Sequence, residues 1–331
     1  MRQLQRDDAS ALSITTTGTW VYRPALVRVP AFNAEAAGVF VNCRGKCGFV
    51  FNYTEPSYLT SGVTSLTFDD ITGLHNGFYL TNLTSLTSLS APLLKYIGGL
   101  SINATPSCTT INLPELEINN GALSLVGMAG LTTLNLPKLK YQGGIITNST
   151  NTLSSLASFS MPLCEYWGGN FTITNGLLTT ISLPSLKVMM GTFVPLDLGT
   201  TSLDLSSLQY TASDFTPRLA SLTSISLPSI ISMGKAPVIT AMPNLTTFAL
   251  GSTLKQMSPL ATNFTITGAA LTEASVDDIL VKLSLLDGTN GTSLMSGKTI
   301  NLSGGTSAAP SATGLAAKAV LVAAGNTVIH N

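Results

Sequence analysis

A chain of 331 residues carries 16 Lys+Arg against 16 Asp+Glu, a formal charge of +0, and only 10% of it is charged where about 25% is usual. That balance excludes a nucleic-acid binder, which needs clustered Lys and Arg to neutralise phosphates, and the 44% apolar content argues against disorder. With 36 serines and 44 threonines the solvated surface must be built from hydroxyls and amides, which suits uncharged partners.

The first ten residues, MRQLQRDDAS, mix both signs of charge and lead into no apolar core, so no secretory signal is expected. No stretch reaches the ~18 apolar residues of a membrane span, and the longest candidate, Gly314 to Gly325, is too short. The expectation is a protein made in a cytoplasm that leaves, if it does, by lysis, by a dedicated machine or within a particle. Residues 1–62 read as a small β-rich module with strands at Trp20–Tyr22, Leu26–Val29, Gly38–Val41 and Gly48–Phe51. Arg2, Arg6, Arg23, Arg28, Asp7, Asp8 and Glu35 concentrate charge there, which fits either a terminal cap or a docking module for a larger assembly. Cys43 and Cys47 allow a disulfide across a short turn or two metal ligands; a zinc site needs four, so no metal is assigned.

From residue 63 to about 270 the chain repeats. In Leu131-Thr-Thr-Leu134-Asn-Leu136-Pro137-Lys-Leu139 apolar residues sit six, three and one positions before the proline and two after it. The same frame is anchored at Asp69, Pro92, Pro114, Pro137, Pro162, Pro184, Ser206, Pro228 and Gly251, spaced 22 to 25 residues apart. Position minus six holds Val63, Leu86, Cys108, Leu131, Leu156, Leu178, Thr200, Leu222 and Leu245; position minus one is apolar in every turn. Cys108 and Cys164 stand where other turns carry Leu, as small buried apolar residues do.

Alternation at Leu134-Asn135-Leu136 has the two-residue period of a strand with one buried face, and proline is tolerated where that strand ends. A second strand follows the Gly-Gly pairs, as in Gly143-Gly144-Ile145-Ile146-Thr147, with glycine taking the corner. Such a turn, with two short strands and no helical period, cannot bury its apolar face alone and must stack on its neighbours. The fold class is therefore mainly β: a leucine-rich-repeat-like β-solenoid of about nine turns, roughly 40 Å long at a ~4.8 Å strand spacing.

After Leu271 the period becomes helical. Thr272-Glu-Ala-Ser275 opens a helix with Val276, Ile279, Leu280, Leu283 and Leu286 on one face, and Asp277 and Asp278 suit its positive N-terminus. A strand at Lys298–Leu302, a second helix from about Pro310 to Ala324 and a last strand at Thr327–His330 complete a small α+β cap over 271–331.

The Leu-x-x-Leu-x-Leu-Pro-x-Leu frame resembles two repeat families, the receptor L-domain repeat and the BspA-type leucine-rich repeat, across about two thirds of the chain; these include receptors, wall proteins and adhesins, so the resemblance implies a solenoid without fixing a function. The closing segment, from Leu271-Thr-Glu-Ala-Ser through Asp287-Gly-Thr-Asn-Gly291 and Thr299-Ile-Asn-Leu-Ser-Gly-Gly-Thr306 to the end, is similar to the C-terminal segment of structural and fibre proteins of tailed bacteriophages. It implies a virion protein, assembled in the host cytoplasm.

Chemistry is sparse. Gly305-Thr-Ser307-Ala-Ala-Pro310 invites comparison with the nucleophile motif of subtilisin-like proteases, but the proline is one residue early, and the only histidines are His75 and His330. Asp69 and Asp70, adjacent on a strand, point to opposite faces, whereas glycoside hydrolysis needs facing acids. No catalytic residue, cofactor or metal is assigned. Nine Asn-x-Ser/Thr sequons arise from the Ser and Thr content. Tyr96, Tyr141, Tyr166 and Tyr210 fall four positions after their anchors, with Trp167 beside one of them; they form either a platform for a glycan or partner, or, by strict alternation from the inward Leu at plus two, a partly buried ladder. The reading is a non-enzymatic phage fibre or appendage, docked to other virion proteins through its N-terminal module and touching a host-surface glycan or protein, without nucleic-acid or membrane insertion and with homo-oligomerisation open. The alternatives are a particle-decorating protein without a receptor role, a bacterial leucine-rich adhesin and, last, a glycan-degrading solenoid enzyme.

Overall fold

The computed structural model describes residues 18–22, 38–41, 48–51, 63–68, 72–74, 77–147, 153–174, 177–197, 199–257 and 263–331. Leu26–Val29, Cys43, Cys47, Asp69, Asp70 and His75 lie outside them.

The repeat winds into a β-solenoid with three parallel sheets along its length, one more per turn than the sequence suggested. The first sheet takes the strand before each proline, at Val63–Phe68, Ser88–Ser90, Thr110–Asn112 and Thr133–Asn135, with Gly18–Tyr22 paired parallel at its start. It resumes at Ser158–Ser160, Thr180–Ser182 and Ser202–Asp204, and again at Ser224–Leu227 and Thr247–Leu250. The second sheet is an unbroken column of nine two-residue strands from Gly73–Leu74 to Gln256–Met257. The third runs from Phe78–Thr81 through Leu100–Asn103 and Leu123–Val126 and ends in a four-stranded set, Val238–Thr240, Phe264–Thr267, Thr299–Asn301 and Thr327–Ile329.

Each corner has a physical cause. The frame proline is the second residue of a β-turn: Leu116 N–H reaches Leu113 O at 3.2 Å and Leu186 N–H reaches Leu183 O at 3.1 Å, a site for which its fixed φ is pre-set. The Gly-Gly corner follows from crowding between turns. A Cβ on Gly144 would stand 2.4 Å from Gly121 C, and one on Gly169 2.3 Å from Gly144 C, so only hydrogen fits where the coils stack. The abundance of threonine also has a use. Thr109 Oγ1 donates to Thr87 O at 3.2 Å and Thr132 Oγ1 to Thr109 O at 3.1 Å, each hydroxyl tying its turn to the one before.

The interior is a continuous apolar stack. Leu113, Leu136 and Leu183 are buried as the frame requires, and Cys108 and Cys164 pack among them. Burial pushes the Cys108 thiol up to about 11 and the Cys164 thiol to about 12. Phe171, Phe193 and Phe215 form an aromatic spine with ring centroids 5.0 and 5.1 Å apart. Thr200, the polar exception at position minus six, is buried with its hydroxyl donating to Leu178 O at 2.9 Å.

The C-terminal cap has helices α1 (Glu273–Ser284) and α2 (Ala312–Ala323), with Thr272 and Ser311 as N-caps. Asp277 serves the other helix from the one proposed: its carboxylate accepts the Ser311 N–H at 3.0 Å and the Ser311 hydroxyl, placing the anion at the positive end of α2. Gly314 makes room for it, since a Cβ there would meet Asp277 Oδ1 at 2.1 Å. Ser307 of the protease-like motif is buried; it accepts from Leu271 N–H at 3.2 Å and donates to Ala269 O at 3.2 Å, tying the cap to the last turn.

Candidate functional site

The second sheet positions the tyrosines. Its strands begin after the proline turn, which costs three residues between the inward Leu at plus two and the next inward residue at plus five, as from Leu139 to Gln142. That step reverses the phase expected from strict alternation, so position plus four faces outward and plus five inward. Tyr96, Tyr141 and Tyr166 are half-buried on the outer side and Tyr210 is exposed. The inward direction expected from strict alternation is therefore corrected: these rings lie on the flank, with Tyr96, Tyr141 and Tyr166 partly buried there. Trp167 takes the inward position, wholly buried, with its ring 5.1 Å from Phe171, and is no part of a platform.

Register places the outer residues in one row, Tyr96, Ile118, Tyr141, Tyr166, Val188 and Tyr210, each directly above the last. Ile118 and Val188, which sequence reading passed over, complete this row where tyrosine is lacking. Tyr141 and Tyr166 stack face to face, with centroids 4.7 Å apart and planes within 1°. Their faces cover each other, so ring edges point outward.

A second row runs beside the first at position plus three: Lys95, Glu117, Lys140, Glu165 and Lys187. Lys140 Nζ lies 2.9 Å from Glu117 Oε2, and Lys187 Nζ lies 2.9 Å from Glu165 Oε2. On the adjoining turn Lys138 meets Glu115 at 2.6 Å. The hydrogen bond from Lys140 and its charge hold the Glu117 carboxyl below the ordinary glutamate range, and Lys187 does the same for Glu165. Both acids stay ionised and paired at neutral pH. Exposed pairs of this kind contribute little to stability; their alternation gives the flank donors and acceptors in near balance.

The same row has an inward counterpart. Asn119 and Gln142 are buried side by side, Asn119 Nδ2 donating to Gln142 Oε1 at 2.8 Å, and Gln142 Nε2 donating to Gly121 O at 2.9 Å and Gly144 O at 3.2 Å. This pair fixes the strands that carry Ile118 and Tyr141.

Among the described residues no group of three or more His, Cys, Asp or Glu could hold a metal ion, and no helix is long and apolar enough to cross a membrane. Comparison with protein families, with curated proteins and with solved structures finds no match for this chain.

Proposed function

We propose that the chain is a non-enzymatic binding rod whose second-sheet flank contacts a neutral, hydroxyl-rich glycan, and that it works as a fibre or appendage of a bacteriophage particle in attachment to the host surface. The observation that carries the binding part is the single outward row of Tyr96, Tyr141, Tyr166 and Tyr210 beside the balanced Lys/Glu row. Amphipathic phenol edges next to paired donors and acceptors suit hydroxyls and C–H surfaces together. Contacts repeated at every turn are individually weak and gain strength from many copies on one particle. The virion part rests on the likeness of the closing segment to phage fibre proteins, and the 1–62 module is the part assigned to docking on other virion proteins.

Two experiments test the two parts. Binding of the full chain to host envelope polysaccharides, compared with Tyr141→Ala and Tyr210→Ala, should show a several-fold loss in each variant; equal binding by all three removes the flank from the function. Mass spectrometry of purified virions should contain this chain, and its absence from particles ends the appendage reading.

A further inference from the structure

The three sheets end differently at the C-terminal side. The last strand of the first, Thr247–Leu250, is closed by α1: Phe248 N–H donates to Ser275 Oγ at 2.9 Å, and that hydroxyl donates to Phe248 O at 3.3 Å. The last strand of the second, Gln256–Met257, is closed likewise by Ser293, with Met257 N–H at 3.2 Å and Met257 O at 3.4 Å. The third sheet runs on to Thr327–Ile329, the last strand paired into it among the described residues. Thr327 N–H bonds Lys298 O and Ile329 O accepts from Leu302 N–H, both at 2.8 Å, so these residues face the inner neighbour. Val328 between them turns its N–H and C=O away from it. Neither a proline nor a charged residue blunts this strand, although such devices usually guard an edge.

Helix α2 shares that outermost layer, since it packs on α1 while Thr327–Ile329 lies on Thr299–Asn301. Of its residues only Gly314, Ala317 and Leu321 are buried. The opposite face carries Ala312, Ala316, Ala319 and Ala323 at steps of four, three and four, the seam spacing of a helix packed on another helix. Leu315, Val320 and Val322 flank it, 49%, 52% and 49% exposed. Lys318, the one charged residue of α2, is engaged with His330 Nε2 at 2.9 Å.

We propose that this end face binds a second copy of the chain about a twofold axis, the Thr327–Ile329 edges pairing antiparallel and the α2 faces packing on each other. The occupant follows from what the surface asks for: a strand for the open edge and, beside it, an uncharged helix with small residues at seam spacing. A second copy of the same end offers both in the arrangement that a twofold axis requires, and with the seam uncharged no like-charge repulsion opposes it. The third sheet then continues through two molecules, and the rods join end to end. Nothing in this pairing uses the tyrosine flank, so it stands or falls separately from the glycan reading.

Sedimentation velocity on the full chain across a wide micromolar range tests it. The expected particle has twice the 34.4 kDa chain mass. Ala319→Glu, on the exposed seam, and Val328→Pro, which removes an outward N–H and leaves the Thr327 and Ile329 bonds in place, should each shift it to monomer, with unchanged far-UV circular dichroism showing the fold intact. Tyr210→Ala should remain dimeric. A wild-type monomer at every concentration, a dimer that survives both variants, or loss in only one of the two overturns the proposal.

Discussion

Replacing Gln142 by Leu removes one member of a buried amide pair and leaves the other stranded. Gln142 is 0% and Asn119 2% exposed, so water cannot take over the lost bonds. Asn119 Nδ2 would keep only Ala122 O at 3.3 Å, and an amide left short of partners in the interior costs about 1–3 kcal/mol. With a urea slope of about 3 kcal/mol per molar, a loss near 2 kcal/mol moves the midpoint down by roughly 0.7 M. Asn119→Leu alone should cost a similar amount, because Gln142 Oε1 then loses its donor. The double variant should behave differently. The same inward row holds Ile97 on one side and Trp167 on the other, so two leucines continue an apolar stack, neither amide is left stranded, and Gly121 O and Ala122 O keep the backbone N–H groups of Gly144 and Leu100. The double variant is therefore expected within about 1 kcal/mol of wild type, against about 4 kcal/mol for the two single losses together, a coupling of about 3 kcal/mol at the upper end of what contacting residues show. Urea unfolding followed by far-UV circular dichroism, with equal slopes across the four proteins, measures it. A double variant that loses the sum of the two single losses would refute the claim that the Asn119–Gln142 hydrogen bond couples the two side chains.

Three further outcomes follow from the same geometry. Gly169→Ala places a Cβ 2.3 Å from Gly144 C and Ile145 N, backbone that cannot give way cheaply, so a loss of about 1–3 kcal/mol is expected in thermal or urea melts; an unchanged melt would contradict the close stacking of the corners. Glu117 has a folded pKa below its ordinary value because of Lys140, so its contribution is present above the unfolded pKa and fades as pH falls through the folded one. Carboxyl NMR titration should show that lowered midpoint and its return toward the ordinary range in Lys140→Ala or in high salt; a midpoint insensitive to both refutes the pairing. Cys108 and Cys164, with thiols held high by burial, should resist a thiol reagent at mildly alkaline pH until the chain unfolds, as peptide mass spectrometry would report; labelling in the native state would place them at the surface.

The solenoid was legible in the sequence because its core is written in large residues at fixed steps: Leu131, Leu136 and Leu139 sit where the frame places them and are buried. The cap helices were legible for the same reason, through Val276, Ile279, Leu280 and Leu283 at helical spacing. The middle strand was not. It has only two residues per turn, and its inward position holds Asn119, Gln142 and Thr211 in some turns, which read as surface. Missing it also turned the tyrosines inward, since the three-residue step from Leu139 to Gln142 is set by the proline turn and leaves no mark in a period-two count. The role of Asp277 and the plugging by Ser275 and Ser293 depend on partners 27 to 36 residues away, beyond any local pattern.

The serines that close the first two sheets have a further consequence for how such a molecule changes size. Because Ser275 and Ser293 stand where the backbone of a following coil would pair on the first two sheets, a further coil cannot be added there without displacing them. Length has to change upstream, by duplicating or deleting one whole 22- or 23-residue unit while the finishing piece is carried along unaltered, and each event alters reach by about 4.8 Å. Calibre and flank chemistry would be inherited unit by unit, so rods of different span need share only a single stop.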